Sequence, residues 1–294
     1  MMAKILNGKD LSQHVDSRTQ QRAQDFQKQA GRAPRLDVIL VGEDPASQVY
    51  VRNKVKRCGL VGIHSEEHLC ASDITQEELL KIVVSLNEHP GVDGILVQLP
   101  LPGHINSSVI LEAINPDKDV DGFHPANAGL LACGVPRFVP CTPRGCMHLI
   151  HEQHQKIEGL HAVVLGRSTI VGRPMAQLLL MADATVTIAH SRTTQLNDVC
   201  RMADILVVAV GREGFVGPDM IKPGATIIDV GINRIVENDR SFLRGDVLFD
   251  EVAPMAGAIT PVPGGVGPMT IACLLENTVD AAMMRVLKTS VPKL

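Results

Sequence analysis

The sequence lacks an excess of basic charge. Its formal net charge is -4 and its sequence pI is near 6.3. No positive field would therefore gather nucleic acid or an anionic membrane surface. We expect a small-molecule ligand, with no nucleic acid and no membrane as partner.

Long apolar runs and paired cysteine motifs are missing as well. The amino end, MMAKILNGKDLSQ, has no apolar core of the about 7 to 15 residues that a signal peptide needs. No later run approaches the about 20 residues of a membrane span. The seven cysteines include no CxxC pair, which argues against a disulfide framework and a zinc knuckle. These absences predict an unexported, cytoplasmic protein.

Aromatic residues are scarce: they make up 2% of the chain, tryptophan is absent, and Tyr50 is the one tyrosine. Lys54 follows it by four positions in QVYVRNKVKRC, and residues four apart lie on one face of a helix. A phenol and an ammonium could therefore act on one ligand, although an isolated YxxxK is more often ordinary helix surface.

At 294 residues the chain is long enough for two domains, and a hydrophobic share of 45% is typical of a well-cored globular protein. Its first half alternates helical and strand-like signals. Asp44 and Pro45 predict a helix start. Thr75 and Glu78 form the pattern of a capping box, and VDGILVQ predicts the strand that follows. This alternation is typical of βαβ units with a parallel sheet.

A segment rich in Pro, Gly and Asp, residues 115–145, is the predicted domain junction. Beyond it, Thr142 and Pro143 are expected to cap a helix. The apolar segments ATVTIAHS, ADILVVAVG and ATIIDVGIN then predict a second doubly wound unit. One apolar-periodic stretch, Met269 to Leu287, predicts a closing helix.

The segment HAVVLGRSTIVGRP has the pattern of a strand, a tight glycine turn and a helix start, which can receive a pyrophosphate. Its spacing of Gly166, Ser168 and Gly172 departs from G-x-G-x-x-G, and a tight turn in any α/β domain could look the same. The next strand ends AHSRT without a carboxylate. Ser191 and Arg192 there suit a 2′-phosphate, although Arg192 could be a solvated surface residue. NADP is therefore favoured over NAD.

Three histidines, His148, His151 and His154, recur near Cys146 and could suggest a metal site. Steps of three residues rotate by about 60° each around a helix, so the rings diverge. Glu152 is the one carboxylate that could support such a site. We predict a polar helix face and no metal.

Six segments, spread in order from residue 50 to residue 270, resemble the bifunctional methylenetetrahydrofolate dehydrogenase/methenyltetrahydrofolate cyclohydrolase family: YVRNK, GILVQLPLP, PDKDVDGFHP, GRSTIVGRP, DVGIN and TPVPGGVGPMT. The resemblance implies an α/β fold with an N-terminal three-layer folate-binding domain, a C-terminal Rossmann-type NADP-binding domain and an active-site cleft between them. The implied domains are residues 1–140, completed by a helix over 269–294, and residues 141–268. A homodimer is also implied.

The same resemblance implies two successive reactions. Hydride passes from the one-carbon bridge of 5,10-methylenetetrahydrofolate to NADP, and water then opens the 5,10-methenyl cation to 10-formyltetrahydrofolate. A dehydrogenase-only folate enzyme and a non-catalytic dinucleotide-binding protein are the alternatives. Short-chain dehydrogenases also use YxxxK, but there the pair follows the glycine loop, whereas here Lys54 long precedes Gly166.

The matched positions imply four catalytic residues. Lys54 is the implied proton-transfer group, and burial would have to lower its pKa toward about 7 to 8 for this work. Gln98 would orient Lys54 without neutralising it. Tyr50 would stack against the pterin or aminobenzoyl group, and Asp121 would accept hydrogen bonds from the aminopterin edge.

The implied binding contacts form two sets. The folate set comprises Tyr50, Val97, Gln98, Leu99, Asp121, Pro261, Pro263, Gly264 and Gly265. The cofactor set comprises Gly166, Arg167, Ser168, Gly172, Ser191, Arg192 and Ile232. In the loop 261–268, glycines would let the backbone approach the folate and prolines would reduce the entropy of ordering; a plain connector is the alternative. Arg192 stands where many relatives carry a lysine.

Overall fold

The computed structural model describes residues 3–237 and 240–289. The strands are β1 (Lys4–Ile5), β2 (Arg35–Val41), β3 (His64–Cys70), β4 (Gly94–Val97), β5 (His161–Leu165), β6 (Thr185–Ala189), β7 (Ile205–Val208), β8 (Thr226–Asp229), β9 (Asn233–Glu237), β10 (Arg240–Arg244) and β11 (Ala258–Ile259). The helices are α1 (Gly8–Ala30), α2 (Pro45–Leu60), α3 (Gln76–Glu88), α4 (Ser107–Ala113), α5 (Pro125–Ala132), α6 (Cys141–His151), α7 (Gly172–Met181), α8 (Leu196–Arg201), α9 (Phe249–Val252) and α10 (Val266–Ala282). A 3₁₀ turn spans Pro218–Met220, and a π-helical turn over Met283–Leu287 continues α10.

The chain divides into two compact units. The large-sheet unit comprises the residues up to Gln13 together with Pro140–Cys273. The small-sheet unit comprises His14–Val139 together with the residues from Leu274 onward. Each unit has its own parallel sheet, so the predicted two-domain α/β class is confirmed.

The small-sheet unit is built on three parallel strands in the order β3-β2-β4. The central strand β2 is buried along almost its whole length, as expected for an apolar strand covered on both faces. Helix α3 packs its apolar face beneath β4 through Leu79, Val83 and Leu86. The carboxyl end of β4 therefore emerges from a fixed core and leads directly into residue 98.

The large-sheet unit contains six parallel strands in the order β1-β11-β8-β7-β5-β6. Strands β7 and β8 are buried throughout, which matches the continuous apolar sequence of β7 and the two central isoleucines of β8. Because all strands run in one direction, the loops that follow them meet at one edge of the sheet. Ligands of doubly wound folds bind at this carboxyl edge.

The first strand differs from the predicted division of the chain. The resemblance implies one domain of residues 1–140, whereas β1 pairs in register with β11, with Lys4 opposite Ala258. The backbone N–H of Leu6 also donates to the Ile259 carbonyl at 2.9 Å. A two-residue strand carries no periodicity, so its partner could not be identified from sequence.

Helix starts follow the capping predictions in two cases of three. Asp44 caps α2 by accepting from the Ser47 N–H at 2.8 Å, and Thr75 and Glu78 form the predicted capping box of α3. The prediction for Thr142 is wrong: α6 begins at Cys141, and the Thr142 hydroxyl instead hydrogen-bonds the Thr270 hydroxyl. Among the described helices, none has the length and hydrophobicity needed to cross a membrane.

The closing helix begins earlier than predicted. It starts at Val266 and not at Met269, so Pro268 lies in its first turn, where a missing N–H costs nothing. Gly145 of α6 lies so close to this turn that a Cβ there would stand 2.8 Å from the Met269 Cβ. Thr142 and Thr270 join the same two helices through their hydroxyls at 3.0 Å.

Lys118 fixes the segment that follows α4. Its side chain is only 1% exposed, and its ammonium donates to the carbonyls of Leu86, Asn87 and His89 at 2.9, 2.7 and 2.8 Å. These carbonyls belong to the carboxyl end of α3, where unpaired acceptors favour a cation. Burial lowers the pKa of Lys118 to about 8. The result is a clamp between α3 and the segment that carries Asp121.

Replacing Lys118 by methionine tests this clamp. Lys118→Met is expected to lower the free energy of unfolding by about 3 kcal/mol, because three helix-end carbonyls lose a charged donor while staying buried. Urea unfolding followed by circular dichroism measures the change. Lys81→Met, which removes an exposed lysine of α3, should change it by less than about 0.5 kcal/mol. Similar losses in both variants would contradict the clamp.

Candidate active site

Lys54 lies on α2 and is buried, with 5% of its surface exposed. Its ammonium donates to the amide oxygen of Gln98 at 3.1 Å and lies 4.6 Å from the centre of the Tyr50 ring. The helical spacing of Tyr50 and Lys54 produces this contact, since positions four apart share one face. The structure thus brings three of the predicted catalytic residues together.

Gln98 is held in a fixed orientation at the end of β4. Its backbone N–H donates to the Ile39 carbonyl of β2 at 2.9 Å, and its side-chain NH₂ donates to the Leu99 carbonyl at 2.6 Å. With the amide nitrogen engaged there, the amide oxygen faces Lys54. Gln98 therefore orients the amine while contributing no charge of its own.

The buried face of α2 supplies a thiol one turn beyond Lys54. Burial raises the pKa of the Cys58 thiol to about 12, although the nearby Lys54 charge opposes this shift. Cys58 is therefore a neutral thiol at physiological pH. Along this face Lys54 has a phenol ring on one side and a neutral thiol on the other, so neither helical neighbour carries a negative charge.

Asp121 projects from a turn that is tied down on both sides. The buried Asp119 carboxylate accepts from the backbone N–H groups of Phe123 and His124 at 3.2 and 2.8 Å. Asn277 donates to the Val120 carbonyl at 2.7 Å. Asp121 itself is half-buried. The turn therefore presents one carboxylate from a backbone whose own hydrogen bonds are satisfied, in the same unit as Lys54.

The proline- and glycine-rich loop follows β11 in the large-sheet unit. Gly264 has φ +105°, which favours glycine, and its carbonyl accepts from the Lys9 N–H at 3.0 Å. A Cβ on Gly8 would lie 1.8 Å from the Gly265 carbonyl oxygen. Close backbone packing thus fixes the loop that contains the predicted folate contacts Pro261 and Pro263.

The predicted phosphate turn lies between β5 and α7. Gly166 has φ +136°, and a Cβ there would lie 2.3 Å from the Ala209 carbonyl oxygen. A Cβ on Gly172 would lie 2.3 Å from the Gly166 carbonyl oxygen. The Ser168 hydroxyl accepts from the backbone N–H groups of Val171 and Gly172 at 3.1 and 3.3 Å. The two glycines therefore make the narrow turn, and Ser168 orders the start of α7.

The other predicted cofactor residues lie at the same sheet edge. Ser191 and Arg192 follow β6 and are exposed, and the Gly166 N–H donates to the Ala189 carbonyl at the end of β6 at 2.9 Å. Ile232 follows β8 with 54% of its surface exposed. These groups fit a dinucleotide. A helix start suits a pyrophosphate, and a hydroxyl with a guanidinium suits a 2′-phosphate. An apolar side chain suits a ring.

Two buried carboxylates at this edge were missed by sequence reasoning. Asp229 accepts from the backbone N–H groups of Gly231, Asp246 and Val247, and Asp246 collects a further set of donors. Burial raises the pKa of Asp229 to about 6, the negative charge of Asp246 adds to the rise, and the three N–H donors oppose it. The only available signal was the aspartate of DVGIN at the end of an apolar strand.

Two family models match the chain. The model described as tetrahydrofolate dehydrogenase/cyclohydrolase, catalytic domain, matches residues 6–121. The model described as tetrahydrofolate dehydrogenase/cyclohydrolase, NAD(P)-binding domain, matches residues 140–286.

Similar proteins align with nearly the whole chain. The bifunctional protein FolD of Zymomonas mobilis is 54% identical over 95% of this chain and 96% of its own length. FolD 2 of Paracoccus denitrificans is 56% identical over 94% of this chain and 92% of its own. Among solved structures, the Campylobacter jejuni FolD methylenetetrahydrofolate dehydrogenase/cyclohydrolase has a TM-score of 0.92 and 48% identity, covering 96% of this chain and 99% of that one. The Trypanosoma brucei FolD complexed with NADP cofactor and inhibitor has a TM-score of 0.92 and 38% identity, covering 96% and 98%.

The Asp229 carboxyl predicts an unusual dependence of stability on pH. Its pKa is raised in the folded chain, so between about pH 4 and pH 6 the folded state binds more protons than the unfolded state. Its contribution to stability is fully present below about pH 4 and is lost as the pH rises through about 6. Asp229→Asn removes this titration, so the stability of the variant relative to the unaltered chain should rise between pH 4 and pH 7.

Urea unfolding at the two pH values measures this difference, and Asp204→Asn is the matched control. Lys222 and the His161 N–H lower the pKa of Asp204, so its contribution is lost only as the pH falls through that lower value. The relative stability of Asp204→Asn should therefore stay nearly constant from pH 4 to pH 7. A constant difference for Asp229→Asn as well would refute the prediction.

Proposed function

This chain belongs to the tetrahydrofolate dehydrogenase/cyclohydrolase family, and we propose that its buried Lys54, oriented by Gln98, is the proton-transfer group of the cyclohydrolase reaction. The chain is an NADP-dependent methylenetetrahydrofolate dehydrogenase and methenyltetrahydrofolate cyclohydrolase. It oxidises 5,10-methylenetetrahydrofolate to the 5,10-methenyl cation and hydrolyses that cation to 10-formyltetrahydrofolate. When bound, NADP supplies the hydride acceptor for the first reaction.

The observation that carries the proposal is the 3.1 Å hydrogen bond between the buried amine and a neutral amide oxygen. Hydrolysis adds water to the cationic one-carbon bridge, breaks one carbon–nitrogen bond and releases one proton. An amine in the reaction site can take the proton from the attacking water and return one to the leaving ring nitrogen. A glutamate at position 98 would hold Lys54 charged and remove the first of these abilities.

Tyr50 and Asp121 are proposed to hold the folate around this amine. The Tyr50 ring offers a flat surface for the pterin or aminobenzoyl group, and it already lies against the Lys54 ammonium. The Asp121 carboxylate suits the paired donors of the aminopterin edge. The further folate contacts that we propose are Val97, Leu99, Pro261, Pro263, Gly264 and Gly265.

The cofactor contacts are proposed at the carboxyl edge of the large sheet. Arg167 and Ser168 lie in the turn between β5 and α7, and the backbone N–H groups at the start of α7 favour a pyrophosphate. Ser191 and Arg192 are exposed after β6, where a guanidinium can pair with the 2′-phosphate. Ile232 would contact the cofactor after β8. These positions explain how NADP could be preferred to NAD without an acidic residue at the end of β6.

We also propose a homodimer and a folate-binding domain of residues 1–140 completed by residues 269–294, because the family resemblance implies both; residues 290–294 lie outside the described part of the chain. We propose a cytoplasmic location because the sequence has no signal-peptide pattern and no paired cysteine motif.

Lys54→Ala should abolish cyclohydrolase turnover while leaving cofactor binding intact. We expect the hydrolysis rate of methenyltetrahydrofolate to fall by about 10² to 10⁴-fold, the usual contribution of a positioned proton-transfer group. The measurement is the loss of methenyl absorbance with time, together with an NADP titration. Lys56→Ala removes an exposed lysine of the same helix and should hydrolyse normally. Normal hydrolysis by Lys54→Ala would remove this residue from the mechanism.

Arg192→Ala should weaken NADP and spare NAD. Loss of one charge-assisted contact corresponds to about a 10- to 100-fold rise in the NADP dissociation constant, whereas the NAD constant should change by less than about twofold. Isothermal titration with each nucleotide measures both. Arg201→Ala, which removes an exposed arginine of α8, is the control. Equal losses for NADP and NAD would mean that Arg192 does not read the 2′-phosphate.

A further inference from the structure

Asp246 holds the loop that follows β7 through hydrogen bonds to its backbone. It is fully buried, and its Oδ2 accepts from the backbone N–H groups of Val210 and Gly211 at 2.7 and 2.8 Å. Its Oδ1 accepts from the Arg212 N–H at 2.9 Å and from the Asn233 side-chain NH₂ at 2.9 Å. One carboxylate therefore fixes three consecutive amides after β7 and a side chain that follows β8.

Asp229 ties the same region to the loop after β11. Its Oδ1 accepts from the N–H groups of Gly231 and Asp246 at 2.9 and 3.0 Å, and its Oδ2 accepts from the Val247 N–H at 3.0 Å. Its own N–H donates to the Thr260 hydroxyl at 2.8 Å. Thr260 immediately precedes the loop with the proposed folate contacts, so Asp229 connects the loops of two neighbouring strands.

Two glycines make room for this carboxylate pair. A Cβ on Gly231 would lie 2.3 Å from the Asp246 Cγ, and a Cβ on Gly245 would lie 1.9 Å from an Asp229 carboxylate oxygen. Neither glycine has a positive φ in this structure. Close packing against the carboxylates is therefore the reason that these positions need glycine. The backbone at this sheet edge is shaped to accommodate the two aspartates.

The order of strands indicates which part of a dinucleotide lies above the pair. In the sheet, β6 and β5 are neighbours, and β7 and β8 follow on the other side of β5. The proposed 2′-phosphate reader, Arg192, follows β6, and the proposed pyrophosphate turn follows β5. A nucleotide bound there with its adenosine half over β6 would extend its other half over β7 and β8, where Ile232 lies between Gly231 and Asn233.

We propose that Asp229 and Asp246 are positioning residues for the nicotinamide half of NADP, which they orient through the backbone of residues 210–212 and 231–233. This inference rests on the proposed cofactor site. The pair does not touch the cofactor: it holds the two loops that do. The adenosine half, with its 2′-phosphate, depends on the loops after β5 and β6 and not on the pair.

Asp246→Asn separates these two halves experimentally. The substitution replaces an accepting oxygen by an NH₂ group, which would oppose the backbone N–H donors and displace their loop. We expect the dissociation constant for NADP to rise about tenfold or more. That for 2′,5′-ADP, which carries only the adenosine half, should change by less than about twofold. Isothermal titration with both ligands measures this selectivity.

Asp204→Asn is the matched control, since it alters a carboxylate at the opposite edge of the same sheet. Asp204 accepts from the His161 N–H at 2.9 Å and pairs with Lys222, and its own N–H donates to the His161 carbonyl. This variant should bind both ligands like the unaltered chain. A selective loss of NADP binding in Asp246→Asn alone would support the inference.

Two results would overturn the proposed positioning role. One is unchanged NADP binding by Asp246→Asn. The other is an equal loss of affinity for NADP and 2′,5′-ADP, which indicates that the whole cofactor site is perturbed. If Asp246→Asn does not fold, Asn233→Ala decides, since it removes one donor to Asp246: a selective, smaller loss of NADP binding supports the inference, and unchanged binding refutes it. Failure of the unaltered chain to bind NADP would overturn the proposed cofactor site and this inference with it, whereas a defect confined to the variant bears on the inference alone.

Discussion

The hydrogen bond from the buried Lys54 ammonium to the Gln98 amide oxygen is the interaction on which the chemistry proposed for the small-sheet unit depends. Each partner is fixed by a different part of the fold: Lys54 by α2, which Asp44 caps, and Gln98 by its backbone bond to β2. A buried amine is costly unless its protons have partners. The neutral amide oxygen of Gln98 supplies such a partner without adding a negative charge beside the amine.

Elsewhere in the fold, backbone amides and carbonyls are the hydrogen-bond partners of buried charged side chains. The Lys118 ammonium donates to three helix-end carbonyls, and the Asp119 carboxylate accepts from two backbone N–H groups, so the turn that follows these two residues holds Asp121 at a defined place. At the edge of the large sheet, Asp229 and Asp246 organise loops that would otherwise have unpaired amides. At these places buried charge positions the backbone, whereas Lys54 is proposed for the chemistry itself.

Much of this could be predicted from the sequence, because local spacing determines it. The contact of Tyr50 with Lys54 follows from helical periodicity, the starts of α2 and α3 follow from capping patterns, and the parallel sheets follow from alternating apolar segments. Gln98 and Asp121 were found by resemblance, since nothing in their spacing identifies a partner.

The long-range features could not be predicted. Asp246 meets the Val210 N–H from 36 positions away, and a backbone amide leaves no trace in the residue types around it. The pairing of β1 with β11 could not be predicted either, since a strand of two residues shows no periodicity. Gly166 and Gly172, by contrast, can be recognised from the sequence, because a site with no space for a Cβ requires glycine. They tolerate little change, whereas Arg192 is exposed on a separate loop. A substitution at Arg192, the residue proposed to contact the 2′-phosphate, therefore leaves the turn that the two glycines make undisturbed.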